Sequence, residues 1–184
     1  MIKKTLLLSA IILLSPLFLN AHLEAAEQWS DIQTLLRLSA SDIEKIKGKV
    51  GSLNPTQLES LVSAIKKLTA RTVTPSIPLP TDALNAASNW HEILAENEYI
   101  RILWVTLAIG QGANAHTHQW PTIIYTLSPS TIGITKTSDG QEIKEPWDPI
   151  IEEIEGMAKP SAFYNCGPHD FYALEIELKK SLIN

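Results

Sequence analysis

One cysteine, Cys166, is all that 184 residues carry. It has no internal partner, so a disulfide-stapled fold is excluded and packing alone must hold the chain. Glycine and proline number only 8 and 11, too few for a collagen-like or low-complexity polymer. Basic residues are outnumbered 15 to 20, for a net charge of −5. That balance argues against a general nucleic-acid binder, which needs a cationic face to neutralise phosphates. The chain also lacks a Gly-x-Ser-x-Gly elbow and a phosphate-cradling glycine loop, which removes the commonest hydrolase and nucleotide-binding signatures. What remains is 45% hydrophobic and 19% charged. That is the composition of a globular protein of one domain, or one domain plus a small appendage.

The N-terminus reads as a targeting segment. Lys3 and Lys4 precede an uncharged run over residues 5–21, rich in Leu and Ile and interrupted by Pro16. Small residues follow at Ala21, Ala25 and Ala26. A basic start, a short apolar stretch and a small-residue exit make a secretory signal peptide over residues 1–26. The run is short for a span needing about 20 apolar residues, so no stable membrane span is expected after cleavage. The expected location is periplasmic or secreted. Removing residues 1–21 takes away two lysines and no acid, lowering the net charge from −5 to −7.

Residues 27–74 read as a helical subdomain. Trp29, Ile32, Leu35, Leu36 and Leu38 mark one buried stripe. Ser41 and Glu44 have the spacing of a capping box, and Asn54-Pro55 places a cap and an N1 proline at the start of another helix. Leu58, Leu61, Val62, Ile65 and Leu68 supply that helix's apolar face. Residues 75–88 read as a linker, with Pro75, Pro78 and Pro80 favouring an extended spacer.

Residues 89–184 then change texture. The stretches 99–107, 121–127 and 131–135 are rich in β-branched and aromatic residues. Residues 161–165 and 171–178 read as a closing hairpin. In the latter strand Tyr172, Leu174, Ile176 and Leu178 alternate with Phe171, Ala173, Glu175 and Glu177, which sends the first set to the core and both glutamates to water. Short strands at this spacing predict a sandwich or barrel.

His116-Thr117-His118 carries the most chemistry. Residues i and i+2 of a strand share a face, so both imidazoles can reach one ion. Other polar candidates are His169 and Cys166, in one turn, and an acidic stretch from Asp148 to Glu155. The plain readings of these are a solvated histidine, a small buried thiol and a solvated loop.

The run Gly110-Gln-Gly-Ala-Asn-Ala-His116-Thr-His118-Gln-Trp120-Pro121, entered from the strand at 99–107, resembles the first motif of the cupin superfamily. Residues 160–167 and 174–179 resemble its second motif and terminal strand. The resemblance covers about residues 89–180. It implies a mainly β protein with an α-helical N-terminal part: a cupin-like antiparallel β-barrel, or double-stranded β-helix, with a pocket at one end. It also implies binding of a small molecule in that pocket by His116, His118, Trp120 and Tyr125. A divalent metal ion on His116 and His118, serving oxygenase or isomerase chemistry, is the alternative cofactor expectation. A structural or interaction protein is the third reading. Homodimer pairing through an edge sheet is implied by the resemblance alone. The chain departs from the family's ligand pattern, with Thr122 or Ile123 where a glutamate is expected and Ser161 in place of a histidine.

Overall fold

A computed structural model describes residues 16–73, 79–128, 131–136, 142–147, 151–154, 156 and 160–182. The first part of the expected signal, residue 74 and residues 75–78 of the expected linker lie outside these. Three helices come first: α1 (Pro16–Leu36), α2 (Ala40–Val50) and α3 (Pro55–Thr69). The expected stripe is present, with Ile32 and Leu36 buried and Trp29 and Leu35 packed at its edge. Ala21, Ala25 and Ala26 all fall within α1. The helix ends where Arg37 takes a left-handed φ of 53°. That conformation strains a side-chain-bearing residue, and here the guanidinium gains a seat over the Tyr99 ring at 4.2 Å.

This early stop moves the cap of α2. The capping box is Ser39 with Asp42, in place of the expected Ser41 with Glu44, because Ser39 is the extended residue that leaves the turn. The Asn54 cap and Pro55 at the head of α3 stand as expected, with Gln57 closing a second capping box. Among the described residues no helix is long and apolar enough to cross a membrane.

A one-turn helix, α4 (Ala83–Ala86), precedes nine strands. β1 (His91–Glu96), β2 (Ile100–Leu107), β9 (Phe171–Leu178), β4 (Thr122–Thr126) and β7 (Ile151–Ile154) form one antiparallel sheet in that order. β3 (Gly112–His116), β8 (Ser161–Asn165), β5 (Thr131–Lys136) and β6 (Glu142–Trp147) form the other. Among the described residues the two remain separate ladders, so the fold is seen as two antiparallel sheets with a helical layer.

The larger sheet is covered on both faces. Ile100, Ile102, Trp104, Ile123, Tyr125, Leu174, Ile176 and Leu178 pack with Ile32, Leu36, Leu58, Leu61 and Ile65 of the helices. Val105, Leu107, Ile124, Phe171 and Ala173 pack the other way, on Ala113 and Phe163 of the second sheet. Each fully buried Leu or Ile contributes about 1.5–3 kcal/mol, so the helical layer is part of the core.

Two expectations are corrected by this two-sided cover. Glu175 and Glu177 do not face water; they are 4% and 0% exposed. Alternation still separates the two sets, but both faces of β9 are interior. The expected closing hairpin is also absent: β8 pairs with β3 and β5 while β9 pairs with β2 and β4. The turn between them carries the chain from one sheet to the other. Buried Asn165 pins that crossing, donating to the carbonyls of Leu107 and His169 and accepting from the Gly167 amide. Residues 79–88, read as linker, are folded onto the sheets, with Asp82, Ala83 and Ala87 buried.

A buried histidine and carboxylate cluster between the sheets

His91 opens β1, His116 closes β3, and His118 lies two residues beyond. Their rings meet edge to face, with centroids 4.8 Å apart for His91 and His116 and 5.1 Å for His116 and His118. His91 Nδ1 lies 2.8 Å from the Ala87 carbonyl and His116 Nδ1 lies 2.7 Å from that of Asn114. A carbonyl can only accept, so each Nδ1 carries the proton and each Nε2 is left as a lone pair. His118 is held differently: Nδ1 is 3.3 Å from Glu177 Oε1 and Nε2 is 3.7 Å from Glu175 Oε1. Glu175 Oε2 stands 3.7 Å from His91 Nε2 and is buried with no hydrogen-bond partner.

The carboxylates come from the inward face of β9, two residues apart. Glu177 also accepts from Arg101 Nε on β2, and Arg101 Nη2 reaches Asp82 Oδ2 at 2.8 Å. The Trp120 ring lies against this guanidinium, 4.8 Å from it. Asp82, Arg101 and Trp120 are all buried.

Electrostatics separate the three histidines. Burial, with the neighbouring His116, lowers His91 to about 3. Burial, with His118 nearby, lowers His116 to about 4. Burial pulls His118 down as well, but the charges of Glu175 and Glu177 outweigh it and raise that histidine to about 9. Burial raises Glu175 to about 7 against the pull of His118. For Glu177 burial is outweighed by the hydrogen bonds from His118 and Arg101, and its carboxyl is held below the usual range. Two neutral imidazoles thus sit beside one imidazolium that balances two glutamates.

Of the four residues expected at a site, the structure brings together His116, His118 and Trp120. Trp120 packs as a cap on the Arg101 ion pairs. Tyr125 lies elsewhere: with Ile123 it faces the helices and packs in their core, since β4 turns Thr122, Ile124 and Thr126 toward the other side. His169 and Cys166 are exposed. Thr122 donates to the Trp120 carbonyl at 2.8 Å. Ser161 pairs with His116 in the β3–β8 ladder. The acidic stretch falls on β7 and on residues outside the description, and its Glu153 is exposed, bridging to Lys67 and Arg71 of the helical layer.

His91, Glu175, Asp82 and Arg101 were missed from sequence. One signal was available. Arg101 is the sole cation in the apolar run 99–107, and a buried arginine requires buried carboxylates.

Among the described residues no three His, Cys, Asp or Glu side chains are drawn in around one point as tightly as a bound ion requires. The nearest donor pairs, at 3.7 Å, compare with about 3.4 Å between two ligands on a tetrahedral ion at 2.1 Å. The donor chemistry suits a divalent ion: two neutral imidazoles with Nε2 free, a third backed by a carboxylate, and an unpartnered glutamate oxygen.

No family model matches the sequence, and no curated protein matches it. Solved structures do. A cupin domain from Bordetella pertussis Tohama I is 14% identical, with a TM-score of 0.44, over 48% of this chain and 91% of that one. An RmlC-like cupin protein with a double-stranded β-helix fold from Methanocaldococcus jannaschii is 11% identical, with a TM-score of 0.40, over 48% and 77%. A cupin superfamily protein from Desulfitobacterium hafniense DCB-2 is 19% identical, with a TM-score of 0.38, over 59% and 95%. These likenesses, all at low identity, cover 48–59% of this chain.

Proposed function

We propose that the protein binds a divalent metal ion between its two sheets through His91, His116, His118 and Glu175. The observation that carries this reading is Glu175 Oε2, a buried carboxylate oxygen without a hydrogen-bond partner beside the free Nε2 of His91. Leaving such an oxygen unpaired costs about 1–3 kcal/mol or more, and an ion would satisfy it. The carbonyls of Ala87 and Asn114 fix the ring orientations in advance, and Glu177 gives His118 the carboxylate backing that metal-bound histidines use. A bound ion supplies Lewis-acid or redox chemistry. A small ligand with oxygen donors would complete its shell, which keeps small-molecule binding and metal binding in one site. The N-terminal pattern supports placing this activity in the periplasm or outside the cell.

The test is elemental analysis of the full chain expressed through its own N-terminus, comparing wild type with His116→Ala/His118→Ala and Glu175→Gln. Near-stoichiometric metal in wild type, lost in the double variant and reduced in Glu175→Gln, is expected. Wild-type protein that stays metal-free after incubation with Mn²⁺, Fe²⁺, Co²⁺, Ni²⁺ and Zn²⁺ would overturn the reading.

A further inference from the structure

The segment that precedes β1 contacts His91 directly and is linked to the other two histidines through Thr117 and a run of buried side chains. The Ala87 carbonyl orients His91. The Thr81 carbonyl accepts from the Thr117 amide at 2.7 Å, and Asp82 bridges Thr117 in parallel, so the backbone between His116 and His118 is tied to it. The third connection runs through side chains. Asp82 Oδ2 holds Arg101 Nη2 at 2.8 Å, Arg101 Nε holds Glu177 Oε2, and Glu177 Oε1 faces His118 Nδ1 at 3.3 Å. Four groups from four elements form one chain of charge-assisted contacts, each buried and each anchored. Asp82 Oδ1 caps α4 at Leu84, and the Trp120 ring backs the guanidinium.

The geometry points to Asp82 as a positioning residue for His118, acting through Arg101 and Glu177, which makes residues 81–87 part of the histidine centre. A planar guanidinium can serve two carboxylates at once from a fixed fork, which a lysine cannot. Glu177 is thereby turned so that one oxygen faces Arg101 and the other faces His118. Without Asp82 the guanidinium is free to swing, and Glu177 with it, so His118 Nδ1 loses a fixed acceptor.

The affinity arm of the test rests on the metal reading; the spectroscopic arm does not. Co²⁺ titration of the full chain compares wild type, Asp82→Asn, Glu177→Gln and the double variant, with Glu92→Gln, in an exposed ion pair with Lys49, as control. Removing the support of a metal-bound histidine lowers affinity about 10–100-fold. That loss is expected in each single variant and no further loss in the double, because the two act in series; Glu92→Gln should match wild type. In metal-free protein the His118 Nδ1–H proton should give a downfield imidazole resonance by ¹H–¹⁵N NMR. It should be lost or displaced in Asp82→Asn. If wild type binds no Co²⁺, the metal reading fails and the resonance alone decides the positioning role. An unchanged resonance in folded Asp82→Asn overturns the proposal, and so does Co²⁺ affinity within twofold of wild type. Should Asp82→Asn fail to fold, Arg101→Lys carries both measurements, since it keeps a buried cation without the fork.

Discussion

Replacing Arg101 with methionine should be among the most damaging single changes away from the apolar core. The substitution keeps most of the side chain's stem and removes its charge. Asp82 and Glu177, both fully buried, then lose their shared cation. Asp82 keeps the Leu84 amide and Glu177 keeps His118, but neither gains a replacement for the guanidinium. Breaking a buried ion pair by removing one partner costs about 3–5 kcal/mol, and losing the contact with the Trp120 ring adds about 1 kcal/mol. A domain of this size shifts its Tm by about 2–4 °C per kcal/mol, so Arg101→Met should melt about 8–24 °C below wild type, with a matching drop in urea midpoint. Lys49→Met is the control. Its ion pair with Glu92 is 2.5 Å long but mostly exposed, and such pairs contribute about 0–1 kcal/mol. The buried pairs of Arg101 should therefore matter several times more than the exposed one. Acid should narrow the gap between Arg101→Met and wild type. Glu177 is held below its ordinary 4.5 in the fold, so its contribution is present above that value and fades as the pH falls below it. An Arg101→Met variant that loses under 1 kcal/mol at pH 7, or no more than Lys49→Met, would refute the claim that burial sets the strength of this network.

The histidine cluster predicts a stability maximum in metal-free protein. His91 and His116 sit at about 3 and 4, so the unfolded chain takes up their protons first as the pH drops below 6.5. Glu175 at about 7 opposes one of them, leaving a net loss of stability as the pH falls below 6.5. His118 at about 9 and Glu175 keep protons in the fold that the unfolded chain releases, so stability also falls as the pH climbs from 6.5 toward 9. Urea midpoints should therefore peak between about pH 6 and 7; a midpoint still rising from 6.5 to 9 would contradict the assignment. Tyr125→Phe should leave metal content unchanged, while Tyr125→Ala should cost about 3 kcal/mol from the helix-facing core. Loss of metal in Tyr125→Phe would return that residue to the site. Asn165→Ala, which frees two carbonyls and an amide at the sheet crossing, should cost about 2–3 kcal/mol in chemical denaturation without moving metal content.

The helices were legible because their signals are local. Asn54-Pro55 carries its cap and N1 residue within two positions, and the leucines of α3 lie one turn apart. The strand content was legible for the same reason, and so was the shared face of His116 and His118. What failed depends on how many sides of a strand are covered. Period two in β9 separates Leu174, Ile176 and Leu178 from Glu175 and Glu177 whichever face is wet, so alternation alone cannot show that a second sheet covers the glutamates. The proline-marked linker misled similarly: its local chemistry describes an extended chain, while the placement of Asp82 is fixed by Arg101, 19 residues later.

The strongest signal of the site was therefore a conflict between levels, and not a motif. Arg101 in a run of Ile, Leu, Trp and Val is unfavourable as sequence, since a strand of that composition is buried and a buried cation needs anions. Pursuing that conflict would have asked which carboxylates could reach the interior. In the closing strand only Glu175 and Glu177 share the face of Phe171 and Ala173. Glu177 stands directly opposite Arg101 in the β2–β9 ladder, and Glu175 two residues further along the same face. The register that satisfies the arginine therefore also delivers a second carboxylate, with no cation of its own, to the histidines. Under this reasoning the fold's need to neutralise Arg101 and the site's need for an acidic ligand are met by one alternation in one strand. A shift of that register by a single residue would turn both glutamates toward the apolar helices and empty the site.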